Sequence, residues 1–136
     1  MIVLDASTLV GAAIRRGSVP DQAVRHAFET DRVAISKAMV AELVDVLHRP
    51  GLARFVDPRL REHILSLVDT EGMVFAPIEP VTECRDPKDN LYLELALAAG
   101  ADIIVSSDQD LLVLHPWRGV RILRPAGYLA VVGHAP

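Results

Sequence analysis

A single cysteine, Cys84, occurs in the 136 residues, so no internal disulfide can form, and no group of Cys and His has zinc spacing. That thiol economy fits a reducing cytoplasm. Aromatic residues make up only 4% of a chain that is 51% hydrophobic, so the core must be assembled from Val, Leu, Ile and Ala. That is usual for an α/β layer protein. Long apolar runs are also missing. The N-terminal Met1-Ile2-Val3-Leu4 run stops at Asp5 and has no basic leader, which argues for a first buried strand and against a signal peptide or membrane span. Nor is there an excess of positive charge: the net charge is −4, against a protein that holds nucleic acid by general basicity. A nuclease remains open, because a carboxylate site adds negative charge of its own and basic groups can gather on one face. Lysine is scarce, Lys37 and Lys88 standing against twelve arginines. Arginine suits bidentate phosphate contacts, but genomic base composition is the better account of the bias.

What is present is an alternation. Short β-branched runs at Ile2 to Leu4, Val33 to Ile35, Met73 to Ala76, Ile103 to Val105 and Val120 to Leu123 read as strands. Between them lie helical patterns: Ser7 to Arg15, Pro20 to Glu29, Ser36 as N-cap of a helix to His48, Pro58 to Gly72, and Asp86-Pro87 opening a helix that closes at Ala99-Gly100. Arg49-Pro50-Gly51 is expected to stop the third of these. The pattern predicts a three-layer α/β/α fold with a mostly parallel sheet of about five strands. No linker, repeat or low-complexity stretch interrupts it, so residues 1–136 are expected to form one domain. Val131 to Pro136 is left open as a tail or a partner-binding strand.

Ligands of open α/β sheets bind beyond the carboxyl ends of the strands. Asp5 directly follows the first strand, and Asp108 follows Ile103 to Val105 after Ser106 and Ser107. Asp89 falls in the first turn of a helix and Glu42 in the middle of one, so neither position forces convergence. Each aspartate also has a plain structural role open to it: Asp5, Asp86, Asp89 and Asp108 all stand where helix caps stand. Glu42 is flanked on its own face by Met39 and Val46, which suggests partial burial. Should the acids converge, carboxylates about 4 Å apart repel by roughly 4 kcal/mol at an effective dielectric of 20 and must take up protons or cations. An all-oxygen ligand set favours Mg²⁺ or Mn²⁺. Such an ion activates water and offsets charge on a phosphodiester.

Four stretches together resemble the PIN-domain family, and within it the toxin components of bacterial and archaeal toxin–antitoxin pairs: Ile2 to Ser7, Ser36 to Leu47 with Glu42, Arg85 to Asn90 leading into Leu91 to Gly100, and Val105 to Leu112. The resemblance implies metal-binding catalytic acids at Asp5, Glu42, Asp89 and Asp108, with Ser7 and Ser106 in support and Asp110 as an additional acid. Asp86 competes with Asp89 for the third position. Asp89 is preferred because Leu91 to Ala96 follows it as the family's helix does, which leaves Asp86 as the cap before Pro87. The family often has Thr-Gly-Asp where this chain has Ser106-Ser107-Asp108, and a turn needing positive φ would not welcome Ser107. The implied activity is metal-dependent cleavage of single-stranded RNA, with a cognate antitoxin and a homodimer as partners and no membrane.

Other functions fit less well. A phosphatase with an aspartyl nucleophile needs a second aspartate where Ser7 stands, a phosphoacceptor domain needs a lysine beyond Lys88, and a dinucleotide fold needs a glycine-rich first turn. The alternative kept is a PIN fold that binds RNA or protein without cutting. The five histidines are scattered, which suits surface or core roles, and Trp117 is expected to pack rather than stack on a base.

Overall fold

A computed structural model describes residues 1–133. The elements are β1 (Ile2–Leu4), α1 (Ala6–Ile14), α2 (Val19–Thr30), β2 (Ala34–Ile35), α3 (Lys37–Leu47), α4 (Pro50–Ala53), α5 (Pro58–Glu71), β3 (Met73–Val74), a 3₁₀ turn (Pro87–Asp89), α6 (Asn90–Ala99), β4 (Ile103–Val105), α7 (Gln109–Leu112), β5 (Arg121–Leu123) and α8 (Pro125–Val131). All pairings between strands are parallel, β1 with β4, β4 with β5 and β2 with β3. The expected sheet of about five strands is present, regular in two pieces of three and two strands. A single parallel bridge, Ile2 to Val33, joins them into the order β3-β2-β1-β4-β5. The cause is strand length: β2 and β3 are two residues each, too short to extend the ladder.

That order has one reversal. The chain steps outward from β1 through β2 to β3, then returns to the other side of β1 as β4. The crevice at the carboxyl ends of β1 and β4 is therefore the switch point where such sheets bind ligands. Both strands are wholly buried, as their unbroken Ile-Val-Leu and Ile-Ile-Val runs require of a sheet covered on both faces. Short side-chain caps define the helix starts. Asp5, Ser18, Ser36, Asp57 and Asp108 each accept a backbone N–H of the first turn they open. Gly100, at φ 61°, ends α6 in the left-handed conformation that lets the chain turn into β4.

Three expectations are corrected. Pro50 does follow the end of α3, but instead of only stopping it, it opens the one-turn α4, where proline at the first position costs no hydrogen bond. The third strand ends at Val74, not Ala76, and lies exposed at the sheet edge. The region after β5 carries an unforeseen helix, α8, whose Tyr128 and Leu129 are buried; the Tyr128 ring meets His26 of α2 edge-on at 5.8 Å. The open question of a C-terminal tail is answered only to Gly133: Val131 ends α8, and His134 to Pro136 lie outside the described residues. Trp117 is 6% exposed, with its indole N–H donating to Glu83 at 2.8 Å, so it packs. No helix among the described residues is long and apolar enough to cross a membrane.

Candidate active site

The backbone of β1 delivers Asp5 to the crevice, where the side chain is 2% exposed and surrounded by donors. Ser7 Oγ lies 2.8 and 2.9 Å from its two oxygens, the Thr8 amide donates at 3.0 Å and Ser106 Oγ at 2.5 Å. The cap reading and the site reading are thus both true of Asp5. It caps α1 with one oxygen while the serines hold the carboxylate in one orientation. Burial pushes its pKa up, and the bonds from Ser106, Thr8 and Ser7 oppose that.

Ser106 joins the two strand ends. Its Oγ donates to Asp5 and accepts the Asp108 amide at 2.9 Å, while the Ser107 amide donates to Ser7 Oγ at 3.0 Å. The missing glycine costs nothing: among the described non-glycine residues only Arg118 has positive φ, so Ser107 sits in ordinary backbone. Asp108 caps α7 through the Asp110 amide at 2.9 Å.

Helix α3 and the 3₁₀ turn before α6 bring in Glu42 and Asp89, the acids that strand geometry could not place. A cleft of ≈ 240 Å³ is walled by Asp5, Ser7, Val10, Glu42, Val46, Asp86, Lys88, Asp89, Tyr92 and Asp108. All four expected acids therefore face one space. Glu42, 27% exposed, has a distant cation, Arg49, at 3.9 Å. Asp89 is strongly perturbed. Burial first, then close approach to the Asp108 carboxylate and the charges of Asp86 and Asp5, push its pKa to about 8. Its Oδ2 is buried and lacks a hydrogen-bond partner. An ionised carboxylate cannot rest in that position uncompensated; a proton or a cation must balance it.

Asp86 does two things. It caps the 3₁₀ turn through the Lys88 amide at 3.1 Å, and it lines the cleft. With Asp89 and Asp110 it forms the one trio of acids among the described residues in which an oxygen of each lies within 4.8 Å of the others, while Asp110 also pairs with Arg85 at 3.1 Å. Asp89 is the member common to this trio and to the Asp108 contact.

The sequence reading overlooked Tyr92. Its buried hydroxyl accepts the Ala6 amide at 3.1 Å, satisfying a free donor at the start of α1. Burial, with the charges of Asp5, Glu42 and Asp89, pushes the phenol above its usual range and keeps it protonated. Its position three residues after Asp89, one turn along, was the available signal. Cys84 sits behind the cleft with its thiol against the Asp110 carbonyl at 3.4 Å, and burial pushes it toward the unreactive protonated form.

A family model described as "PIN domain" matches residues 1–110, a stretch that includes all of these acids. Among solved structures, the chain is similar to PAE2754 from Pyrobaculum aerophilum, with 17% identity, a TM-score of 0.62, and coverage of 97% of this chain and 89% of that one. At that identity the likeness is one of fold. No curated protein matches the sequence.

Proposed function

The chain belongs to the PIN-domain family, whose members are generally nucleases, and on that premise we propose that it is a metal-dependent endoribonuclease acting on single-stranded RNA. The observation that carries the reading is Asp89, a carboxyl driven to about pKa 8 against Asp108, with a buried, unpartnered oxygen facing a cleft of further acids. Such an arrangement costs stability, and perturbed carboxylates in a cleft are a mark of function. A binding-only protein would gain nothing from it.

The donor set fits Mg²⁺ or Mn²⁺, being all oxygen and including an oxygen in need of a cation. Asp5, Asp89 and Asp108 would hold the ion, with Glu42 completing the site. When bound, it would lower the pKa of an attacking water and offset the charge developing on the phosphodiester. The chain's own residues then have distinct tasks. Ser7 and Ser106 keep Asp5 in one orientation, and Ser106 also ties down the Asp108 backbone. Glu42, less buried than Asp5, orients the attacking water. Asp89 is preferred to Asp86 as the third acid because its buried Oδ2 has no hydrogen-bond partner of its own and its carboxyl lies against Asp108. Asp86 and Asp110 support the site from its far side.

The resemblance to toxin components extends the proposal to a toxin of a toxin–antitoxin pair, working in the cytoplasm as a homodimer checked by a cognate antitoxin. An overlapping small reading frame beside the gene would support that extension. The activity itself is tested by incubating purified protein with a mixed RNA pool in Mg²⁺, in EDTA and as Asp5→Asn. The proposal expects cutting only by wild type with the metal. Equal cutting in all three samples would refute it, and no cutting with any metal would favour the binding-only alternative.

A further inference from the structure

The cleft does not end at its acids. Val10 of α1 and Val46 of α3 line it beyond Ser7 and Glu42, and one helical turn further, about 5 Å, the segment 49–61 bridges the two helices. Arg49 follows Val46 by three residues, and the Asp57 amide donates to Ala13, three residues past Val10, at 2.9 Å. In a chain of net charge −4, this segment carries Arg49, Arg54, Arg59 and Arg61 against the single acid Asp57. Arg54 and Arg59 form no ion pair among the described residues. At its tip Phe55 is 55% exposed, with the Arg54 guanidinium 4.7 Å above its ring.

An exposed phenylalanine alone is ordinary. Here it stands among unpaired arginines on the rim of an acidic cleft, and an aromatic face flanked by cations is what unpaired bases and their phosphates bind. Arg49 connects the two regions, since its guanidinium is held by Asp45 at 2.8 Å and lies 3.9 Å from Glu42. We infer that residues 49–61 form the lip that holds single-stranded RNA beside the cleft, with Phe55 stacking on a base, Arg54 and Arg59 meeting the phosphates, and Arg49, paired with Asp45, fixing the lip beside Glu42. The inference rests on the nuclease reading for its substrate class. It also answers how an acidic protein holds a polyanion: the positive charge is local.

The test is equilibrium binding of a short, unstructured, fluorescein-labelled RNA to the protein in EDTA, followed by anisotropy. Phe55→Ala should raise Kd about tenfold, the order expected for one lost base–aromatic stack, and Phe55→Trp should restore it. Arg54→Gln should make the slope of log Kd against log salt shallower by about 0.7, one phosphate contact on a single strand. Phe55 is exposed, so these variants keep the fold, which thermal unfolding checks. Binding by Phe55→Ala within twofold of wild type would overturn the inference. So would the absence of RNA binding by wild type at low salt, which would give this surface to a protein partner instead. Lip-dependent binding without cleavage in Mg²⁺ or Mn²⁺ would sink the nuclease reading and leave the lip standing.

Discussion

Asp89→Asn should make the metal-free protein more stable while abolishing its activity. The native carboxyl titrates at about 8 and the unfolded one near 3.8. Between those values the folded state holds a proton that the unfolded state has released. Stability from this group is therefore greatest below about pH 4, falls as pH rises toward 8, and is level above it. Each tenfold change in proton affinity is worth about 1.36 kcal/mol, which for an unscreened site amounts to roughly 6 kcal/mol. Asp89 is only partly buried, and solvent screening reduces the figure to about 2 kcal/mol. Asparagine keeps the shape and removes the charge. Urea denaturation in EDTA at about pH 5 and pH 8.5 should show the variant gaining about 2 kcal/mol over wild type at the higher pH and little at the lower, a rise of several degrees in Tm. The difference between the two proteins cancels the titration of groups away from the cleft and leaves that of Asp89 with the carboxyls coupled to it. A variant less stable than wild type at pH 8.5, or one whose advantage does not grow with pH, would refute the reasoning that Asp89 is held under electrostatic strain.

Further outcomes follow from single contacts. Ser106→Ala removes the hydroxyl between Asp5 and the Asp108 amide and should cost about 1–3 kcal/mol in chemical denaturation, with RNA cleavage reduced by at least an order of magnitude. Gly100→Ala places a Cβ at φ 61° and should lower stability by about 1 kcal/mol without changing cleavage kinetics. Leu93→Ala empties a fully buried position of α6 and should cost about 2–5 kcal/mol by the same denaturation assay.

How much of this was legible beforehand differs by element. β1 and β4 were plain because a strand buried on both faces leaves an unbroken apolar run, and the acids at their ends followed from the parallel topology. Ser36 announced α3 by capping, and Pro58 marked the start of α5. Glu42 and Asp89 could be named only by resemblance, since their meeting depends on how α3 and α6 pack, which no local pattern records. The same limit hid Tyr92, whose hydroxyl acts on an amide 86 residues away in sequence. α8 escaped because seven residues containing Pro125 and Gly127 read as punctuation until α2 supplies a surface to bury Tyr128. Ser107 shows the reverse case: a family glycine implied positive φ, and the backbone here does not use it.

The claim on which everything turns is that the acid cleft exchanges a proton for a divalent cation. Calorimetric titration of metal-free protein with Mn²⁺ at about pH 7, in two buffers of different ionisation enthalpy, measures ion and proton together. Saturable binding is expected with release of up to about one proton per ion, because Asp89 must ionise to ligate, and Asp89→Asn should lose both binding and proton release. Saturable binding that releases no proton and survives Asp89→Asn, or no binding by wild type, would contradict it.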